Sequence, residues 1–371
     1  MKKIVIIGGG AAGYFTAINA KESNPDLEVT ILEKGKDVLQ KVKISGGGRC
    51  NVTHACFEPK ELVKFYPRGE KELLGPFHQF MTGDTFEWFD NRGVPLKIEG
   101  DNRVFPEANT SQAIIDCFQK SVDTLGIKVL TNHGVNTVTK QDDTWSIHTK
   151  EQVFEADQLV IAAGSSKKVW ELCETLDHAV VAPVPSLFTF NINDKRLVDL
   201  LGTSVPNATV TISGTKLEAS GPLLITHWGM SGPAVLKLSA FGARILADKH
   251  YQYNVEVNWL SRPTDKVLNV LLNLKKKEPR KTVILKSPFT EVSRRLWERF
   301  VLFSDISKTQ NWADLNNAQL EKLANQLTKG IYNANGRTTF KEEFVTAGGV
   351  DLKEINFKRF ESRKHNNLFF V

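Results

Sequence analysis

Apolar residues run without interruption from Ile4 to Ile7, all β-branched and with no polar residue among them. A strand with one face in water would alternate, so this run predicts a parallel strand covered on both faces. GGGAAG follows, and YFTAINAKES then has helical spacing. LEVTILEK predicts a second strand ending at Glu33. Farther on, TSQAIIDCFQKSVD places Ile114, Ile115, Phe118 and Val122 on one helical face, with Thr110 or Ser111 as its cap. TLGIKVLTNHGVNTVTK and TWSIHTKEQVFEADQLVIAAGSS then predict a β-meander leading into another parallel strand.

The pattern changes after VPSLFTF. Residues 188 to 258 are strand-like: ATVTISG alternates, TKLEASGPLLIT reads as a hairpin, and YQYNVEVNWL as another strand. DKVLNVLLNLKKKEPRK, FTEVSRRLWERFVLFSDI and NNAQLEKLANQLTKG return to helical periodicity, and KEEFVTAGGVDL leads back to the first type of pattern.

Composition narrows the class. The chain has 371 residues, 41% hydrophobic and 24% charged, as in soluble globular proteins of two or three domains. No apolar run approaches the roughly 20 residues that span a bilayer, so no membrane partner is expected. MKKIVIIGGGAAG imitates a signal peptide, but its apolar run is short and its glycines fall where a nucleotide turn needs them. Cys50, Cys56, Cys117 and Cys173 form no CxxC pair and read as reduced thiols of a cytoplasmic protein, with no metal site. A net charge of +6 permits an anionic substrate or RNA without demanding one.

Gly8, Gly10 and Gly13 complete G-x-G-x-x-G around Ala11 and Ala12, between the first strand and the first helix. Gly8 permits the tight turn, Gly10 lets the backbone approach a pyrophosphate, and Gly13 lets helix and strand pack closely. The helix N-terminus then offers free N–H groups to the phosphates. Glu33, twenty residues beyond Gly13, is placed to accept hydrogen bonds from ribose hydroxyls. This context predicts an adenine dinucleotide and leaves NAD and FAD both open. SGGGRCN lies about a dozen residues later, where Gly46, Gly47 and Gly48 can bring backbone N–H groups to the cofactor as an anion nest.

GGGAAG, LEK, SGGGRCNVTH, RVFPE, THWGMSGPAVLKLSA and VTAGGVDLKEINFKRFESR, in this order, resemble the BaiN/YhiN-type (aminoacetone-oxidase-like) FAD-binding flavoproteins over nearly the whole chain. The resemblance implies an α/β fold: a two-dinucleotide-binding, Rossmann-like FAD domain over residues 1–187 and 340–371. It is interrupted by a β-barrel-like insert, 188–260, and a helical insert, 261–339. It also implies FAD contacts from Glu33 and Lys34, from the backbone of Val135 to adenine, and from Ala163 and Gly164, where Ala163 stands in place of the usual Thr. Arg49 would reach phosphate or pair with a carboxylate, and Asn51 would meet the flavin ring or ribityl chain.

Two segments depart from the family pattern. SSKKVWELCETLDHAV replaces a longer glycine-rich loop, and NNLFFV stops at Val371 where the pattern runs on into a segment that covers the flavin. Weakened flavin retention is the expectation.

His227, at a strand end in THWGMSGPA, is the candidate proton donor, with a satisfied structural histidine as the plain alternative. In the same motif Ser231 is expected to cap the next helix, with Pro233 in its first turn. Cys50 is a weaker catalytic candidate, because no second cysteine stands beside it. LKKKEPRK, with Arg294, Arg295 and Arg299, reads as a solvated helix end or as a surface for RNA phosphates. The activity expected is that of an FAD-dependent oxidoreductase. The resemblance implies an NAD(P)H-driven reductase that converts uridine of large-subunit rRNA to dihydrouridine. The alternatives are a flavin enzyme acting on an aminoketone or steroid-like enoate, and a non-catalytic flavin-binding module.

Overall fold

The computed structural model describes residues 1–338 and 345–371. The chain divides into two compact units, Met1–Pro183 with Gly348–Val371, and Val184–Ala347. The sequence puts the first boundary at 187 and the return at 340. That return falls among residues 339–344, outside the described residues.

In the first unit the apolar run becomes β1 (Lys3–Ile7). It pairs in parallel with β2 (Glu28–Leu32) on one side and with the strand Gln158–Ile161 on the other. Lys128–Leu130 and Leu368–Phe370 extend the parallel sheet at either end, and two short antiparallel strands complete seven. Ile4 and Ile6 face a core with Tyr14, Ile31, Ile114 and Phe118, whereas Val5 and Ile7 face one with Trp145, Leu159, Leu172 and Leu368. Both faces are covered, which is why β1 shows no alternation. The helix α1 (Ala11–Ser23) follows the glycine turn. The helix Ser111–Thr124 is capped by Thr110, whose hydroxyl accepts from Gln112 N–H at 3.3 Å. The meander is present as Thr137–Gln141, Thr144–His148 and Val153–Ala156.

The second unit is a closed six-stranded barrel joined to helices Thr264–Lys277, Arg294–Leu302 and Asn317–Thr328. Here the separation of a barrel, 188–260, from a helical part, 261–339, needs correcting. The closing strand, Gly330–Thr338, comes after the helices in sequence and pairs with both Gln252–Asn258 and Thr189–Ile192. The helices are therefore spliced into the barrel. They share one core with it, in which Phe190, Val255 and Tyr332 pack with Leu271, Trp297 and Leu323. Closure leaves no barrel edge unpaired.

Candidate functional site: a dinucleotide cradle in the first unit

The three glycines of the turn differ in what surrounds them. Gly8 has φ +121°, and a Cβ there would stand 2.4 Å from the Ala162 carbonyl oxygen. A Cβ on Gly13 would stand 2.0 Å from the Gly8 oxygen. Both positions are closed to a side chain by backbone. Gly10 differs: a Cβ there would meet nothing within 4 Å. It is the N-cap of α1, it brings no side-chain cap, and no acidic residue occupies the first turn, where Ala11 and Ala12 are exposed. The first N–H groups of a helix have no intrahelical acceptor, and the dipole favours an anion there. A pyrophosphate fits this vacancy in shape and charge.

Glu33 closes the turn from the side. Its Oε2 accepts from Gly9 N–H at 2.8 Å and its Oε1 from Gly35 N–H at 2.7 Å. A carboxylate accepts about four hydrogen bonds, so acceptor capacity remains for ribose hydroxyls. Lys34 is exposed beside Gly134. The adjoining loop is held by Asn132 N–H on Gly35 O (2.9 Å) and His133 N–H on Glu33 O (2.8 Å). Val135 is 7% exposed, and among the described residues its own amide and carbonyl have no hydrogen-bond partner. Near-buried backbone groups are almost always paired. A donor and acceptor left open side by side suit the edge of an adenine.

The second glycine run lies in α2 (Gln40–Gly48), whose helical path breaks at Ser45. Gly46, Gly47 and Gly48 take φ of +57°, +69° and +83°, and Cys50 is also left-handed at +62°. Gly46 has no room for a side chain, since a Cβ would stand 2.7 Å from Asn51 N and 2.8 Å from the Phe105 ring. Gly47 and Gly48 face open space. This is the bare backbone that an anion nest requires. The adjacent Leu39, left-handed at φ 56° and buried, is held by its N–H on the Gly9 oxygen at 2.8 Å. That bond ties the two glycine loops together.

The side chains of SGGGRCN turn away from this vacancy. Arg49, expected on phosphate or on a carboxylate, takes the carboxylate: Nη1 donates to Glu99 at 2.6 Å and to Asn109 Oδ1 at 3.3 Å, with the guanidinium 4.0 Å from the Phe105 ring centre. Arg103 pairs with Asp101 at 2.7 Å and Glu99 at 3.5 Å. Asn51, oriented to satisfy its neighbours, donates to the carbonyls of Val104 (3.2 Å) and Thr53 (3.0 Å), and so secures the loop. Cys50 is buried, and burial raises its thiol pKa, which disfavours the reactive thiolate. Glu99 and Phe105, which anchor the loop, were not legible as partners, because only the fold brings them beside Arg49.

Ala163 and Gly164 follow the strand Gln158–Ile161 after Ala162. Gly164 has φ +55° and open space where a side chain would stand. Lys41 of α2 reaches Ser165 Oγ at 2.9 Å. Beside this turn an apolar cavity of about 280 Å³ is lined by Ala163, Gly164, Trp170, Leu352, Phe357 and Phe360.

In the second unit, His227 sits with Trp228 at the tip of a two-residue turn closed by Thr226 N–H on Gly229 O at 2.8 Å. His227 is exposed, and its ring has no partner among the described residues. Ser231 does not cap the following helix. Its hydroxyl accepts from Thr189 Oγ1 at 2.9 Å, and Gly232 is the N-cap, with Pro233 at the first helical position as expected.

The chain matches the family described as HI0933-like protein Rossmann domain over residues 2–371. It belongs to that family. It is an FAD-dependent oxidoreductase, and the cradle described above fits FAD. Curated relatives include the ribosomal RNA dihydrouridine synthase of Haemophilus influenzae, 25% identical over 99% of this chain and 90% of that protein. The protein of the same name from Escherichia coli is 26% identical over 99% of this chain and 90% of its own length. The 3-dehydro-bile acid delta(4,6)-reductase of Clostridium scindens is 24% identical over 100% of this chain and 92% of that protein. Among the described residues, no helix is long and apolar enough to cross a membrane.

Proposed function

We propose that this flavoprotein is an NAD(P)H-driven reductase that saturates a carbon–carbon double bond conjugated to a carbonyl, with uridine of large-subunit rRNA as its substrate. The observation that carries the RNA reading is the placement of charge. Residues 261–339 hold fifteen Lys and Arg against seven Asp and Glu, a net +8 that exceeds the +6 of the whole chain. Lys276, Lys277, Arg280, Lys286, Arg295 and Lys308 of that segment are exposed and have no ion-pair partner among the described residues. Such a surface neutralises phosphates and releases counterions. The names of the H. influenzae and E. coli relatives point the same way.

When bound, FAD would supply the hydride chemistry. The first unit's part is to seat the dinucleotide: α1 and the Gly46–Gly48 nest would hold its phosphates, Glu33 its ribose and Val135 its adenine. The carbon next to the one that receives the hydride takes up one proton, so the product gains one hydride and one proton. The target base must leave its stack to be reached. G-x-G-x-x-G occurs once in the sequence, so the nicotinamide donor docks transiently.

Mass spectrometry of large-subunit rRNA from a strain lacking this gene tests the reading. The expected result is loss of dihydrouridine, restored by the wild-type gene; an unchanged dihydrouridine content overturns it. A second reading, reduction of a small unsaturated carbonyl compound, is favoured by the C. scindens relative at nearly equal identity. NAD(P)H oxidation that depends on an added steroid-like enoate would establish it.

A further inference from the structure

Trp228 is 56% exposed, whereas Trp88, Trp145, Trp259, Trp297 and Trp312 are at most 7% exposed. A single exposed apolar side chain is ordinary on a protein surface. What sets Trp228 apart is the stiffness of the backbone that carries it. Its carbonyl accepts from Ile192 N–H at 2.8 Å, and its own N–H donates to Thr226 Oγ1 at 3.3 Å. Gly229 closes the turn at φ +141°, where a Cβ would stand 2.4 Å from the Phe190 oxygen. Met230, next in sequence, is fully buried. The backbone of the tip is thus pinned between two barrel strands. Among the described residues, no aromatic ring or cation packs on the indole. The neighbouring residue on the same two-residue tip is His227.

We infer that Trp228 is a stacking platform for the planar unsaturated ring of the substrate, set on a rigid turn beside His227. The inference rests on the reductase reading above and names the substrate contact it lacks: an unpaired pyrimidine of RNA, held by its face. A splayed-out base stacks on an aromatic side chain without regard to phosphate contacts elsewhere. Trp228 is then a positioning residue, and its loss affects ring binding while the salt dependence stays.

The test uses the FAD-loaded protein and a uridine hexamer, with affinity read by anisotropy of a labelled strand at two salt concentrations. Wild-type protein is expected to bind, with W228A weaker by about tenfold or more, W228F close to wild type, and the salt slope the same in all three. Equal affinity of W228A and wild type overturns the inference and leaves the RNA reading standing. A W228A variant whose salt slope falls along with its affinity also overturns it, since the tip would then be acting on the phosphate surface. If the hexamer does not bind but a cyclic enone quenches tryptophan fluorescence in wild type and not in W228A, the platform stands and the RNA reading falls. Because the indole is exposed, W228A is expected to melt with wild type, and the melting curve is recorded alongside.

Discussion

Arg49 donates through Nη1 to Glu99 Oε1 at 2.6 Å, fifty residues away in sequence, so the second glycine loop is braced by an ion pair and does not hold its arginine toward a ligand. Both side chains are about 30% exposed, at 31% and 27%, so the pair is only partly screened. E99Q is expected to cost about 1 kcal/mol of stability, and R49A about 1–2 kcal/mol because it also removes the contact with Phe105. Urea denaturation checks both, and the double variant should cost less than the sum. If R49A lost FAD affinity with unchanged stability, the arginine would belong to the cofactor instead.

Gly13 and Gly10 separate folding from binding. G13A pushes a methyl to 2.0 Å from the Gly8 oxygen, which is backbone and cannot yield. It should destabilise the unit by about 2–4 kcal/mol, in the range of severe overpacking and strain. G10V has open space around it, so the melting temperature of the apoprotein should hold. Its side chain enters the volume assigned to pyrophosphate, so FAD affinity should fall at least about tenfold, a loss of about 1.4 kcal/mol. Fluorescence titration with FAD and apoprotein melting read the two effects apart.

The local half of this architecture was legible in the sequence. β1, the G-x-G-x-x-G turn, α1 and Glu33 are contiguous, and their spacing carries their geometry. The helix cap at Thr110 and Pro233 at a helix start were readable for the same reason. What escaped depends on closure in space. That Gly330–Thr338 completes a barrel begun at Thr189 cannot be seen from periodicity, because pairing across some 140 residues leaves no local mark. Ser231 has the sequence context of a cap, yet the barrel gives its hydroxyl to Thr189. Arg49 fell between two expectations, and only the fold, by bringing Glu99 and Phe105 beneath it, decided between them.

The thiols give a redox prediction. Burial raises the pKa of Cys50, Cys117 and Cys173, the last to about 12. A neutral thiol is a poor nucleophile, and Cys56 alone of the four is not buried. A disulfide reagent at pH 7.5 should therefore modify Cys56 rapidly in the native protein, and the other three only in denaturant. C50S should keep its reductase activity. A rapid second thiol that disappears in C50S would restore Cys50 as a candidate.

His178 makes stability depend on pH. It is 2% exposed, and its Nε2 lies 2.8 Å from Ser362 Oγ. His365, at 5.7 Å between ring centres, faces it, as does the Lys364–Glu354 pair. Burial lowers its pKa below the ordinary 6.5; Glu354 opposes the shift, and His365 and Lys364 add to it. The imidazole is thus neutral in the fold and gains its proton more easily in the unfolded chain. Above about pH 6.5 both states are neutral and stability is intact. As pH falls below 6.5 the unfolded state takes up a proton that the fold resists, and stability drops by up to about 1.4 kcal/mol per pH unit until the folded pKa is reached. H178N, which keeps a polar group for Ser362 but cannot titrate, should flatten the curve between pH 6.5 and 5 relative to wild type. Urea midpoints across that range decide it, and parallel curves for the two proteins would show that the proton is taken up elsewhere.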